Sequence, residues 1–395
     1  MRWFVPGRLE VLGKHTDDAG GRSLLAAVDR GITITLEDAD EGIYASTTAV
    51  EGELHLAPGT PSGLPKGHWG NYAQATIDRL HLNFGELKPA RLIIDSNLPL
   101  ASGMSSSSAL VVAVALSIID HNDIREREEW KANVHDDIDL AGYMATMENG
   151  LTFGTLKGLR GVGTFGGSED HTAMLCCHEG KLTEFTFCPI EEGESVDLPA
   201  EWSFVVAVSG VLAEKTGAAL ESYNNASLRA RELAERWNDA TGREDAVLAD
   251  ALASDADALE VLRSIAASDE ALTKRLTAFV TESEVAIRQA VKALKAGDFE
   301  AFGKAADLSQ RNADEQLGNQ IPETNRLQAL ARELGATASA GFGAGFGGSV
   351  WALVRTSEAE AFAEKWLSAY VGEFPDVAET ASTIVTRPGG PARRL

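Results

Sequence analysis

Two stretches of this chain set small residues and hydroxyls where an anion could be held against bare backbone. The first is Pro99-Leu100-Ala101-Ser102-Gly103-Met104-Ser105-Ser106-Ser107-Ser108-Ala109, which follows the apolar run Ala90-Arg91-Leu92-Ile93-Ile94 and precedes an Ala/Val/Leu run from Leu110 to Ile119. A strand therefore feeds a polar loop that opens a helix. The first N–H groups of a helix have no partner within it, and its dipole favours negative charge there. Small residues at that point let phosphate oxygens approach closely. The same serines also suit the N-cap of an ordinary helix. The second stretch, Gly343-Ala344-Gly345-Phe346-Gly347-Gly348, fits G-x-G-x-x-G. A dinucleotide fingerprint would open a helix, with an acidic residue about twenty positions further on. Here the strand-like Ser349-Val350-Trp351-Ala352-Leu353-Val354 follows, which suits a turn packing its backbone against a ligand. A third segment, Gly7 to Lys14, almost spells a P-loop. It has one residue too many between its glycines, and His15 stands where a Ser or Thr should meet magnesium.

The elements that must carry these loops read as mixed α+β. Strand-like runs occur at Ile32 to Leu36, Arg91 to Asp95, Trp202 to Val208, Ser349 to Val354 and Ser382 to Thr386. Helices are expected after the serine loop and around Ile138 to Met147, and from Ala218 to Ala306 the pattern is acidic, alanine-rich and helical. The acids from Asp245 to Glu260 read as a solvated helix face, and Asp255-Ala256-Asp257 lacks the spacing of an EF-hand. With 395 residues, 44% of them hydrophobic, the chain is long enough for two domains. A net charge of -24 argues against nucleic acid as a partner. No stretch approaches the apolar length of a membrane span, and Pro6-Gly7 interrupts any signal-peptide core, so a cytoplasmic location is expected. Cys176, Cys177 and Cys188 give neither a disulfide framework nor zinc spacing.

Taken in order, the three loops resemble the three motifs of the GHMP kinases (galacto-, homoserine, mevalonate and phosphomevalonate kinases), and the galactokinase branch in particular. Pro6-Gly7-Arg8-Leu9-Glu10-Val11-Leu12-Gly13-Lys14-His15-Thr16-Asp17-Asp18-Ala19-Gly20-Gly21 is similar to the galactokinase signature in its Arg, Gly, His-Thr-Asp and paired glycines. Trp69-Gly70-Asn71-Tyr72, Ser209-Gly210-Val211 and Tyr223-Asn224 match lesser stretches. The resemblance implies a two-lobed fold, with a ribosomal-S5-like N-terminal lobe over residues 1–200 and a ferredoxin-like C-terminal lobe over 201–395. It implies an ATP- and Mg2+-dependent transfer of a phosphoryl group to a monosaccharide, at the anomeric hydroxyl of galactose or a related sugar. Gly103, Met104, Ser105, Ser106, Ser107 and Ser108 would then bind ATP. Ser107 and Glu148 would hold magnesium. Arg8 would stabilise the transferring group, and Asp170, within Gly166-Gly167-Ser168-Glu169-Asp170-His171, would be the base, with Glu169 as its substitute. His15, Asp17, Lys14, Tyr223 and Gly347 are the expected substrate contacts.

The sugar side departs from the family. Lys14 stands where galactokinases carry a Glu, Asp18 where they usually carry Tyr, Asn312 where a His is expected, and His171 where Gln follows the base. Exchanging an acceptor carboxylate for a cationic donor would change which hydroxyl pattern is satisfied, so an acidic sugar paired with Lys14 is one expected alternative. A sugar- and nucleotide-binding sensor without turnover, and a kinase for a non-sugar alcohol, also remain open at this stage.

Overall fold

The computed structural model describes residues 1–98, 103–211 and 218–395, with 218–223 described by backbone alone. Two antiparallel-rich sheets organise it. The strands are β1 (Arg2–Leu12), β2 (Arg22–Asp38), β3 (Ile43–Thr47), β4 (Val50–His55), β5 (Ala90–Ser96), β6 (Lys181–Thr186), β7 (Glu191–Asp197), β8 (Trp202–Val208), β9 (Ala338–Phe342), β10 (Ser349–Arg355), β11 (Ser382–Thr386) and β12 (Arg393–Arg394). The larger sheet runs β12-β1-β2-β5-β3-β4, with β6 and β7 joined to the other end of β2. The smaller runs β11-β8-β10-β9.

Register irregularities bend β1 where it passes the site. Pairing of β1 with β2 shifts between Pro6 and Arg8 and again between Glu10 and Leu12. Such bulges re-aim side chains beside active sites. Behind β1 lies the helix Ser106–His121, whose residues from Ser108 to Ile119 are all buried. A helix apolar all round has no face for solvent, so it is enclosed by the sheet and neighbouring helices. Its position fixes the serine loop against β1, where the Arg8 N–H donates to the Met104 carbonyl at 3.2 Å.

The long acidic segment forms helices Ala218–Thr241, Leu248–Ala253, Ala258–Ala266 and Glu270–Phe279. Their apolar faces (Leu233, Trp237, Leu262, Leu276 and Phe279) close over Ala19 of the Arg8-to-Gly21 segment. The acids are thus on the outer side of a lid whose inner side packs on the signature loop. The main core runs through both sheets, from Val5 and Leu9 to Phe204, Phe302 and Trp351. A second cluster, with Trp366 and Tyr370, packs helices Pro322–Glu333 and Ala359–Glu373 on the smaller sheet.

Every strand and helix expected from the pattern is present at its place, from Ile32 to Leu36 inside β2 to Ser382 to Thr386 as β11. No helix among the described residues is long and apolar enough to cross a membrane.

Candidate active site

Arg8 and Glu10, both buried, face one cleft between the two sheets. Arg8 Nε donates to Asp170 Oδ1 at 2.7 Å, and Nη1 donates to the carbonyl of Gly103. Asp170 lies in the first turn of the helix Glu169–Cys176 and also accepts from the hydroxyls of Ser105 and of Ser108, the latter at 3.2 Å. Ser105 occupies the N-cap position of the helix Ser106–His121 in a left-handed conformation, with φ 55°, and its side chain does not cap the helix. Its hydroxyl is turned to Asp170. The serine loop is therefore not the ordinary N-cap that its composition equally allowed.

The neighbouring carboxylates are set by β1 and the loop that follows it. Asp17 Oδ2 accepts the Glu169 N–H at 3.1 Å. The Glu169 side chain accepts from Ser23 Oγ at 2.6 Å and stands 3.7 Å from Arg8 Nε. His15, at φ 54°, places its ring Nε2 3.0 Å from the carbonyl of Ala344 in the glycine loop. Glu148 ends the helix Asp137–Asn149 on the cleft wall, its Oε1 3.2 Å from His171 Nε2.

Burial dominates the electrostatics. It pushes Glu10 up to about 7 against the pull of Arg8 and Lys14. It raises Asp17 to about 6, with Asp18 adding repulsion, and holds Glu169 well above the usual carboxylate range, helped by Glu10 and Asp17. For Arg8, burial works the other way, and the charges of Asp170, Glu169 and Glu10 outweigh it, so its pKa is raised. Arg8 is cationic throughout the physiological range, whereas the carboxyl groups around it compete for charge.

The structure brings Arg8, His15, Asp17, Ser108, Glu148 and Asp170 to this cleft. Lys14 is elsewhere. It is 3% exposed, and its ammonium donates to Ser309 Oγ at 2.8 Å and lies 3.9 Å from Glu282 Oε1. Lys14, expected to meet the sugar, instead has its side chain committed to an interior ion pair, and it is not among the described residues that line the cleft. Asn312 joins the same network, donating to Ala278 O at 2.9 Å and facing Glu282 Oε2 at 3.5 Å. Gly347 is buried, and it is Gly343 and Ala344 of the glycine loop that line the cleft. Met104 is a core side chain at 0% exposure, leaving only its backbone for the loop. Ser106 and Ser107 open the helix, Gly103 lies in the bend before it, and of the four serines Ser108 lines the cleft. Tyr223's side chain, and Pro99 to Ser102 of the serine loop, lie outside the described residues.

Two residues carry more of the site than their sequence context suggested. Glu10 stands two positions from Arg8 on β1, and the alternation Arg8-Leu9-Glu10-Val11 is the signal that sets both polar side chains on one side of the strand. Glu282, in Val280–Ala286, accepts from Gly13 N at 2.9 Å and Ser309 Oγ at 2.7 Å and so anchors the signature loop. Nothing local distinguished it from the acids around it.

No three His, Cys, Asp or Glu side chains among the described residues cluster as a metal site. A magnesium ion shared with phosphates needs only one or two protein oxygens. The buried Glu148 carboxylate at the cleft wall fits that demand, and Ser107 lies one residue before the cleft-lining Ser108.

Comparison with known proteins gives a consistent result. Residues 1–37 match the galactokinase galactose-binding signature, residues 71–158 the GHMP kinases N-terminal domain and residues 290–372 the GHMP kinases C-terminal region. A galactokinase of Haemophilus influenzae (strain PittGG) is 26% identical over 91% of this chain and 86% of its own length. One from Thermotoga neapolitana (strain ATCC 49049) is 24% identical, covering 95% of each. The crystal structure of Lactococcus lactis galactokinase complexed with galactose superposes with a TM-score of 0.80 at 22% identity, over 100% of this chain and 95% of that one.

Proposed function

Because the chain belongs to the GHMP kinase family, as a galactokinase-like phosphotransferase with that family's two-lobed α+β fold, we propose that it moves the γ-phosphoryl group of ATP to the anomeric hydroxyl of galactose or a related monosaccharide. The observation that carries this reading is the position of Asp170. Its carboxylate is held by Arg8 at 2.7 Å and by the hydroxyls of Ser105 and Ser108 at the start of the serine-loop helix. Asp17, within the match to the galactose-binding signature, is bonded to the adjacent Glu169 N–H.

Phosphoryl transfer asks the protein mainly for positioning and charge stabilisation. The triphosphate lies against the N–H groups opening the helix Ser106–His121, where the helix dipole favours anions. His15 and Asp17 take hydroxyls of the sugar. Asp170 accepts the proton of the attacking hydroxyl, and Arg8 keeps that carboxylate in place while its guanidinium faces the charge building on the transferred group. Magnesium, when bound through Glu148 and Ser107, supplies neutralisation of phosphate charge. The division near residue 200, one lobe bringing the signature and serine loops and the other the glycine loop, belongs to the same proposal.

ADP release in the presence of MgATP and single monosaccharides tests it, with phosphorus NMR of the product. A C1 phosphomonoester is the expected product. A C6 ester, or turnover only with mevalonate or homoserine, overturns the anomeric reading.

A further inference from the structure

Among the described residues, the cleft is lined by six carboxyl groups, Glu10, Asp17, Asp18, Glu148, Glu169 and Asp170, by one guanidinium, Arg8, and by the imidazoles of His15 and His171. The donors of Arg8 are directed to Asp170 and to the Gly103 carbonyl. The Lys14 ammonium is turned into the interior toward Ser309 and Glu282. Within this acidic wall Glu10 Oε1 and Asp18 Oδ2 are both buried without a hydrogen-bond partner, and Asp18 already lies 4.0 Å from the Arg275 guanidinium, which leaves Glu10. It is 3% exposed, its Oε2 accepts the Gly343 N–H at 3.2 Å, and its Oε1 is buried without a hydrogen-bond partner. A buried acceptor left unmade is costly, and a charge-assisted bond there is worth roughly twice a neutral one. ATP brings still more negative charge to the same space.

We propose that Glu10 is a substrate-binding residue whose buried Oε1 takes a hydrogen bond from a cationic group of the acceptor sugar, so that the preferred substrate is an amino sugar. The proposal rests on the sugar-kinase reading above and narrows it. A neutral hydroxyl would satisfy the Oε1 geometry, but it would not favour the ionised form of Glu10, whose pKa burial raises to about 7. An ammonium does both. An acidic sugar is disfavoured by the same wall of charge.

The test is ADP release by the full-length protein at pH 7 with galactose, 2-amino-2-deoxygalactose, 6-amino-6-deoxygalactose and N-acetylgalactosamine, the last carrying the nitrogen without its charge. At least one amino sugar is expected to exceed galactose in kcat/KM by about tenfold, the size of one added charge-assisted bond. N-acetylgalactosamine should show no such gain. In Glu10→Gln, which keeps the shape but not the charge, the amino-to-galactose ratio should collapse toward one. The wild-type ratio needs no variant to fold. Galactose matching or exceeding both amino sugars overturns the proposal while leaving the sugar-kinase reading intact. An amino-sugar preference that survives Glu10→Gln also overturns it, since the selecting group is then another. If no monosaccharide releases ADP, both readings fall.

Discussion

Arg8 and Asp170, 162 positions apart in sequence, meet with Nε 2.7 Å from Oδ1. The contact joins β1 to the first turn of the helix Glu169–Cys176, and it is made beneath the serine loop, whose Ser105 hydroxyl bonds the other Asp170 oxygen. A proton acceptor tied this tightly has its position fixed before substrate arrives. Asp170→Asn keeps the shape and removes the acceptor, so kcat should fall about 10²- to 10⁴-fold with nucleotide affinity nearly unchanged. Arg8→Ala should also lower kcat, and the double variant should be little worse than the weaker single one, because the two act as a unit. Glu169→Gln is the control. If it abolishes turnover while Asp170→Asn retains most of it, the base is the neighbour.

The Lys14 geometry reverses what its sequence position suggested. Lys14→Glu would set a second carboxylate where an ammonium now lies 3.9 Å from Glu282, in a site where Lys14 is 3% exposed. Breaking a buried pair in this way costs about 3–5 kcal/mol. Denaturant unfolding should therefore show a large loss of stability, and the ratio of kcat/KM between sugars should not move toward galactose. Replacing both partners, as Lys14→Met with Glu282→Gln, should recover much of the loss. A stable Lys14→Glu with altered sugar choice would show that the side chain does reach the cleft.

The loops were legible because their chemistry is local. Gly and Ser runs flanked by apolar strands announce a turn, and the family resemblance supplied Arg8, His15 and Asp17 residue by residue. What sequence could not show was direction. Lys14 and His15 are adjacent, yet one side chain is interior and the other reaches Ala344 across the cleft. Glu10 was marked only by the alternation Arg8-Leu9-Glu10-Val11, and because β1 is buried on both faces the sequence did not show which face borders the cleft. Glu282 acts across 269 positions on Gly13, a pairing that only the packed helices create.

Stability should fall as pH rises. Burial leaves Glu10 near 7 and Asp17 near 6 in the folded protein, above the usual carboxylate values. The folded state thus retains protons that the unfolded chain has released. Their stabilising contribution is full below the unfolded values and is lost as pH climbs through the folded ones. Without ligand, the melting temperature should decline between pH 5 and pH 8, and Glu10→Gln should make that decline shallower. An unchanged slope in Glu10→Gln would mean that Glu10 is ionised in the folded protein at acidic pH.

Gly167 offers a separation of sugar from nucleotide. A Cβ at this position would come within 2.5 Å of Asp17 Oδ2 and 3.0 Å of the Asp18 N–H nitrogen. Asp17 would have to move, and its 3.1 Å bond from the Glu169 N–H would be strained with it. Gly167→Ala should lower kcat/KM for the sugar about 10- to 100-fold, the scale expected when a positioning group is displaced by a fraction of an ångström to one ångström. The Kd for nucleotide should hold, because the serine-loop helix is not touched. Gly372→Ala is the matched control: its Cβ meets nothing within 4 Å in the helix Ala359–Glu373, so it should be neutral in kinetics and neutral or slightly favourable for stability. Wild-type sugar kinetics in Gly167→Ala would show that Asp17 does not position the substrate. Joint loss of sugar and nucleotide affinity would show instead that the loop from Gly166 to Asp170 supports the whole cleft.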